Sequence, residues 1–213
     1  MEISGLLAGL PGVEALGEDD RTGLERAFRV VLAPRGQKIY REGDEAPHLY
    51  LVIRGFVKLT RLSPRGKQLV MKLAGPGDTF GPCCDCFAAA PANCTASSLS
   101  AVRLLALPAP AWRELSWTRP AISRFLASLL MRSRRGCTDL AINLAFEGVD
   151  QRLALLLLSL SRWSTDDRRP ILLPALLSQA EMADALGTAR EVVTRALGRL
   201  EQQGLIRRWR RRI

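Results

Sequence analysis

Residues 178–204 read SQAEMADALGTAREVVTRALGRLEQQG, and this stretch decides how the C-terminal part of the chain is interpreted. Ser178 and Glu181 have the spacing of a capping box, in which a hydroxyl and a carboxylate satisfy free amides at a helix N-terminus. Gly187 suits the positive φ of a tight turn, and Thr188–Glu191 repeats the capping-box spacing. The pattern predicts two helices around a turn, the second stopping near Gly204. Their shared core is expected to hold Met182, Leu186, Val193, Leu197 and Leu200, as in a helix-turn-helix.

The second helix of this motif carries polar residues where a DNA-reading helix needs them. Arg190 can bind both acceptors of a guanine, and Glu191 can accept from a cytosine amino group. The N-terminal residues of a recognition helix are the ones that reach base edges in the major groove. The sequence therefore predicts double-stranded DNA as a partner. The residues expected to contact it are Ser178, Gln179, Thr188, Arg190, Glu191, Thr194 and Arg195.

The overall charge agrees with a polyanionic partner. The chain has 213 residues, a net charge of +10 and a pI of about 10.2, and five of its last seven residues are arginines. Such an excess of positive charge favours contacts with nucleic-acid phosphates. The most apolar run, Leu153–Leu160, is far shorter than the roughly 20 residues that cross a bilayer, and the N-terminus has no secretory signal pattern. We expect a cytoplasmic protein with no membrane partner.

Between residues 30 and 107, short apolar runs alternate with turns that contain glycine. The clearest runs are residues 49–53, 56–60, 69–73 and 102–107. Short strands at a spacing of roughly 8–12 residues are typical of an antiparallel barrel or jelly roll.

From Ala121 to Phe146 the apolar residues recur with a helical period. Steps of four and three alternate along this segment, which is the spacing of a coiled-coil seam. Such a stripe can pack against its own domain, but its length and its place between two domains favour a parallel homodimer. The residues expected at the dimer interface are Leu126, Leu130, Ser133, Cys137, Leu140 and Leu144.

The five cysteines need a separate explanation. Cys83, Cys84, Cys86 and Cys94 fall within twelve residues, and Cys137 lies on the helical segment. In a reducing compartment, clustered cysteines bind metal or do redox chemistry more often than they form disulfides.

Five segments taken together resemble the CRP/FNR family of bacterial transcription regulators. They are LVIRGFVKL (51–59), GPGDTFG (75–81), NLAF (143–146), AREVVTR (189–195) and LEQQGLI (200–206). The resemblance implies an α+β protein with three parts: a cyclic-nucleotide-binding-like β-roll at 1–110, a long central dimerisation helix at 111–146 and a winged helix-turn-helix at 147–213. It also implies a homodimer that binds a palindromic operator, with RNA polymerase as a further partner.

The chain departs from the family at the positions that hold cyclic AMP. Members that bind this nucleotide carry Glu-Leu after the glycine that matches Gly81, and an Arg-Ser pair near residues 92–93. This chain has Pro82-Cys83 and Ala92-Asn93 instead. The charge-assisted contacts to the ribose and the phosphate are therefore missing, and we expect no response to cyclic AMP.

The resemblance maps the cysteines to the cavity that would otherwise hold the nucleotide. Cys83 and Cys86 have C-x-x-C spacing, Cys94 and Cys137 would complete four thiolates, and Cys84 would be a possible extra ligand. Four thiolates suit an iron–sulfur cluster or a structural zinc. We favour the cluster because its loss or oxidation can report on oxygen, nitric oxide or redox state. The alternatives are zinc or another thiophilic metal, haem, a thiol–disulfide switch, and no cofactor.

These observations favour a DNA-binding transcription regulator controlled by a cofactor or redox signal. An oxidoreductase is disfavoured because no βαβ unit surrounds the C-x-x-C segment and no acid/base pair accompanies it. A constitutive DNA-binding protein is the other alternative. We therefore expect that the chain is not an enzyme.

Overall fold

The computed structural model describes residues 3–10, 12–45, 48–81, 91–163 and 176–207, and for 133–137 it describes the helical backbone without side chains. Three of the predicted metal ligands, Cys83, Cys84 and Cys86, lie outside the described residues, as do the arginines from 208 onward. The chain divides into two compact units. The first comprises residues 1–59 and 73–136, and the second comprises residues 60–72 and 137–213.

The order of the elements is that of an α+β protein, as the sequence predicts. Two N-terminal helices, α1 (Ile3–Leu7) and α2 (Glu18–Ala27), come before the strands. The strands are β1 (Arg29–Ala33), β2 (Lys38–Tyr40), β3 (His48–Arg54), β4 (Val57–Leu62), β5 (Gln68–Ala74), β6 (Thr79–Phe80), β7 (Thr95–Ser98) and β8 (Val102–Pro108). The later helices are α3 (Ala109–Thr118), α4 (Pro120–Phe146), α5 (Val149–Ser161), α6 (Gln179–Leu186) and α7 (Arg190–Gln202). The four predicted apolar runs correspond to β3, β4, β5 and β8, and the predicted central helix is α4.

The strands form two four-stranded sheets with the orders β1-β8-β3-β6 and β2-β7-β4-β5. In the first sheet β8 and β6 pair with β3 in antiparallel register, which places Tyr50 opposite both Ala106 and Phe80. In the second sheet β2 pairs antiparallel with β7, so that Tyr40 lies opposite Ala96. Tyr40 contacts the aromatic rings of Tyr50 and Phe80 in the first sheet. The two sheets therefore face each other, as expected for a β-roll.

The other face of the first sheet is covered by helices, and the sequence patterns did not predict the N-terminal ones. Alternation along β3 places Tyr50 inside the roll and turns Leu49 and Leu51 to the opposite face. Residues from the N-terminal segment and from α3 and α4 pack on that face. The buried residues of this core are Leu6, Leu7, Leu10, Val13, Leu16, Leu24, Phe28, Leu49, Leu51, Leu105, Leu107, Trp112, Ile122, Phe125, Leu126 and Leu129.

The turn between β3 and β4 depends on a glycine. Gly55 has a φ of 83°, and a Cβ at this position would overlap the carbonyl oxygen of Ala101. The next residue, Phe56, donates its backbone N–H to the hydroxyl of Ser100 at 3.0 Å. The β3–β4 turn therefore packs directly against residues 100–101, and only glycine fits at position 55.

Candidate nucleic-acid interface and effector pocket

The predicted helix-turn-helix is present as α6 and α7. Ser178 caps α6, since its hydroxyl accepts the backbone N–H of Glu181 at 3.2 Å and its own N–H donates to the Glu181 carboxylate at 3.0 Å. Gly187 ends this helix in the left-handed region with a φ of 61°. Every residue predicted for the core of the motif is buried: Met182, Leu186, Val193, Leu197 and Leu200.

The second predicted capping box is wrong. Helix α7 begins at Arg190, its N-cap is Ala189, and no side chain caps it. The backbone N–H of Thr188 instead donates to the carbonyl of Ala183 at 3.0 Å. Thr188 therefore belongs to the C-terminal closure of α6, because the left-handed Gly187 turns its amide back toward that helix.

The residues predicted to read DNA share one exposed side of the motif. Arg190, Glu191, Thr194 and Arg195 are all exposed on the first turns of α7. Thr194 lies beside Gln179 at the start of α6, with its hydroxyl 2.9 Å from the Gln179 side-chain oxygen. The fold therefore brings both helix N-termini to the same surface, which is the arrangement a major-groove reader needs.

An ion pair that the sequence patterns did not reveal joins α7 to α5. Two guanidinium nitrogens of Arg199 donate to the two carboxylate oxygens of Asp150, at 2.8 and 2.5 Å. The hydrogen bonds from Arg199 hold the pKa of the Asp150 carboxyl below its usual range. The two residues are 49 positions apart, so local spacing carries no signal for this contact.

The interior of the roll contains an aromatic cluster and one described thiol. The rings of Tyr50 and Phe80 stack with centroids 5.0 Å apart, and the ring of Tyr40 lies 6.0 Å from that of Tyr50. Cys94 is 9% exposed, and its Sγ lies 4.0 Å from the Tyr40 hydroxyl. The predicted ligand Cys94 therefore lies in the roll, beside aromatic residues that sequence reasoning missed.

Two titratable side chains of this cluster have shifted pKa values. Burial raises the pKa of the Tyr50 hydroxyl. Burial, together with the positive charge of Arg29, lowers the pKa of His48, whose ring lies 5.8 Å from that of Tyr50. Both shifts favour the neutral form, since a partly buried site disfavours charge.

The structure describes too few of the predicted ligands to assemble a metal site. Among the described residues, no three His, Cys, Asp or Glu side chains lie close enough together to hold a metal ion. Cys94 is the predicted ligand whose side chain is described. The side chain of Cys137 is outside the described part of the chain, like those of Cys83, Cys84 and Cys86.

Along α4, the predicted interface residues differ in how much surface they expose. Leu126 is 1% exposed because it belongs to the core of its own unit, and Leu130 packs against that core. Leu140 and Leu144 are half-buried, while the side chains of Ser133 and Cys137 are not described. The large apolar residues exposed on α4 are Met131, Ile142 and Phe146. None of the described helices is long and apolar enough to span a membrane.

Comparison with known proteins agrees with this architecture. A family model described as a cyclic nucleotide-binding domain matches residues 30–117. A second model, described as a Crp-like helix-turn-helix domain, matches residues 151–213. The two models occur in the order that the sequence predicts.

Relatives match most of the chain. The CRP-like cAMP-activated global transcriptional regulator of Mycobacterium tuberculosis is 32% identical over 185 residues, or 86% of this chain and 82% of that protein. The cyclic AMP receptor protein of Thermus thermophilus is 33% identical over 181 residues, or 84% of this chain and 80% of that protein. A solved CRP-family transcriptional regulator, also from Thermus thermophilus, covers 85% of this chain and 89% of its own, with 29% identity and a TM-score of 0.71.

These relatives are transcription regulators and not enzymes, which confirms two of the sequence predictions. Regulators of this kind bind DNA and act as dimers. The two domain models and the relatives that span more than four-fifths of its length show that the chain belongs to the CRP/FNR family of bacterial transcription regulators.

Proposed function

We propose that the chain binds a palindromic operator as a homodimer, and that a cysteine-ligated cofactor in the β-roll, preferably an iron–sulfur cluster, controls this binding. The protein acts in the cytoplasm, where its DNA is, and contacts RNA polymerase from the operator. The observation that carries the effector part is the position of Cys94. Its thiol is buried beside Tyr40, and Cys94 lies within the segment that matches the cyclic nucleotide-binding domain model.

The proposed ligands are Cys83, Cys86, Cys94 and Cys137, with Cys84 as the spare thiol. Four thiolates match the donor set of an iron–sulfur cluster, which supplies a centre that gains or loses electrons and can be dismantled by oxidants. Cys94 contributes a ligand already screened from water. The Tyr40 hydroxyl lies within hydrogen-bonding range of its sulfur, and such a contact tunes the sulfur of a bound cluster.

The residue at position 92 supports an effector other than cyclic AMP. Ala92 is buried, its N–H donates to the carbonyl of Asp44 at 2.8 Å, and its carbonyl accepts from Gly43 at 2.8 Å. Position 92 therefore contributes a methyl group and a fully paired backbone. The Ala92 side chain carries no positive charge to hold a phosphate, although the two relatives described above are named for cyclic AMP.

For the DNA-binding part, we propose that Arg190, Glu191 and Arg195 read base edges. Their exposure on the first turns of α7 supports this role, and the contact between Gln179 and Thr194 keeps the start of α6 beside them. Changing Arg190 to Ala should cost about 1–3 kcal/mol of operator binding and relax the preference at one base pair. Changing exposed Arg207 should weaken binding to all sequences alike, since a phosphate contact carries no sequence information.

We propose that α4 forms the dimer seam through Leu130, Ser133, Cys137, Leu140 and Leu144. Leu126 contributes little to this seam because its own core already covers it. A twofold seam predicts an operator with two inverted half-sites about one helical turn apart. Footprinting on DNA selected by the protein tests this spacing.

The experiment that tests the effector is purification without oxygen. The expected product is a brown protein with matched iron and acid-labile sulfide, whose operator binding changes on exposure to air. The Cys137→Ser variant should lose both the cluster and the response, while Cys84→Ser, the matched control, should keep both. Four other results would each contradict the cluster and indicate a different effector. They are a colourless protein that contains zinc, a haem spectrum, a reversible disulfide, and a response to added cyclic AMP.

A further inference from the structure

The outer half of the β4–β5 hairpin belongs to the same compact unit as the DNA-reading motif. This unit contains residues 60–72 together with residues 137–213. The side-chain amide of Gln68, the first residue of β5, donates to a carboxylate oxygen of Asp184 on α6 at 2.9 Å. Both side chains are half-buried, and they are 116 positions apart in the chain. This tertiary hydrogen bond connects the hairpin to the first helix of the motif.

A second contact reaches the turn between the two helices. A Cβ placed on Gly187 would lie 3.1 Å from Leu144 Cδ2 and 3.8 Å from Leu69 Cδ1. One of these leucines follows Gln68 on β5, and the other ends the apolar stripe of α4. The turn between α6 and α7 therefore lies close to a side chain of β5 and to a side chain of the central helix.

These contacts leave the DNA-reading side of the motif uncovered. Arg190, Glu191 and Arg195 are exposed in the same arrangement in which Gln68 binds Asp184. A contact that blocked DNA would bury those side chains. The hairpin instead contacts the motif at a surface other than its DNA-reading face. It can therefore brace the motif, that is, stabilise its arrangement without blocking DNA.

We propose that Gln68 is a positioning residue for operator binding: with Leu69, it braces the α6–α7 turn and holds the recognition helix at the angle that fits the major groove. This inference rests on the proposed operator binding. It adds a determinant that lies outside the helix-turn-helix sequence. A brace present in one arrangement of the motif stabilises that arrangement relative to the others, so its loss lowers the fraction of molecules ready to bind.

Gln68 and Asp184 offer an isosteric exchange that tests the contact directly. Gln68→Glu sets two carboxylates against each other, whereas Gln68→Ala removes the donor without adding charge. The double variant Gln68→Glu with Asp184→Asn restores an amide–carboxylate hydrogen bond with the roles reversed. Gln37→Glu is the matched control, because Gln37 is exposed in the β1–β2 turn and this change adds the same charge elsewhere.

The full chain is titrated with a duplex that the wild-type protein selects from a randomised pool. Gln68→Glu should weaken binding about tenfold and Gln68→Ala about threefold to fivefold, in line with the modest net contribution of a typical intramolecular hydrogen bond. The double variant and Gln37→Glu should stay within about threefold of wild type. Without DNA, amide hydrogen exchange at residues 183–188 should accelerate in both single variants at Gln68 and return to normal in the double variant.

The outcomes separate this inference from the function on which it rests. If the wild-type chain selects no inverted repeat, operator binding fails while the exchange measurement still reports on the brace. If the wild type binds the operator and both Gln68→Ala and Gln68→Glu bind it as tightly as the wild type does, the positioning role is refuted. A double variant as weak as Gln68→Glu would also overturn it, because the restored hydrogen bond would then have no effect.

Discussion

Replacing Gly187 with Ala tests whether the turn of the reading motif requires glycine. Its φ of 61° lies in the left-handed region, which costs an L-residue about 1–2 kcal/mol. The new methyl group would also lie 3.1 Å from Leu144 Cδ2, so that side chain must shift by a few tenths of an ångström. Against this, Ala restricts the unfolded chain and returns about 0.4–1 kcal/mol. We expect a net loss of about 1 kcal/mol from the stability of the second unit.

Gly198 provides a control with the opposite sign. It lies inside α7, and a Cβ there would meet no atom within 4 Å. Gly198→Ala should therefore stabilise the protein by about 0.5–1 kcal/mol. Urea unfolding followed by circular dichroism compares the two variants with the wild type. If Gly187→Ala were as stable as the wild type, or Gly198→Ala less stable, the conformational argument for this turn would be refuted.

Three further predictions concern other parts of the chain. Ser178→Ala should lower the unfolding free energy by about 1 kcal/mol through loss of the α6 cap, and Ser178→Thr, which keeps the hydroxyl that Glu181 contacts, should retain most of it; equal midpoints in urea for Ser178→Ala and the wild type would contradict this. Gly55→Ala should lower the melting temperature more than Gly187→Ala, because its Cβ would overlap the Ala101 carbonyl; scanning calorimetry of the two variants compares them. Burial and Arg29 lower the pKa of His48, so the unfolded chain takes up a proton first as the pH falls. Well above about pH 6.5, His48 protonation does not change the unfolding free energy, and below that pH it lowers the unfolding free energy progressively. If the wild-type protein loses no more stability at low pH than the His48→Gln variant, His48 is not the group responsible.

The parts of the motif that follow from the sequence are those set by local spacing. Ser178 and Glu181 are three residues apart, and their mutual hydrogen bonds form within a single helical turn. The burial of Val193, Leu197 and Leu200 follows in the same way from the helical period. Thr188 has the same spacing relative to Glu191, yet its amide turns back to Ala183. Here the preceding left-handed Gly187 outweighs the local spacing. The sequence alone is compatible both with Thr188 capping α7 and with Thr188 closing the end of α6.

The parts of the site that could not be predicted depend on contacts between distant segments. Tyr40 and Tyr50 meet only because two sheets face each other, and alternation along one strand does not reveal the opposite strand. Asp150 and Arg199 are likewise far apart in the chain. On α4, the periodicity identifies an apolar stripe but not which residues of that stripe the N-terminal helices cover, so Leu126 is expected at the seam although it is buried in its own core.

The packing of the first unit bears on how this protein can be divided for experiments. Of the sixteen buried residues in its main core, seven precede residue 30 and four follow residue 117, which are the limits of the matched cyclic nucleotide-binding domain. A fragment cut at those limits would keep five of them and present the outer face of its first sheet, with Leu49, Leu51, Leu105 and Leu107, to water. Exposed apolar surface of this kind promotes aggregation. Ligand-binding studies on the isolated N-terminal part should therefore use residues 1–132, so that the N-terminal helices and the first half of α4 stay with the strands that they cover.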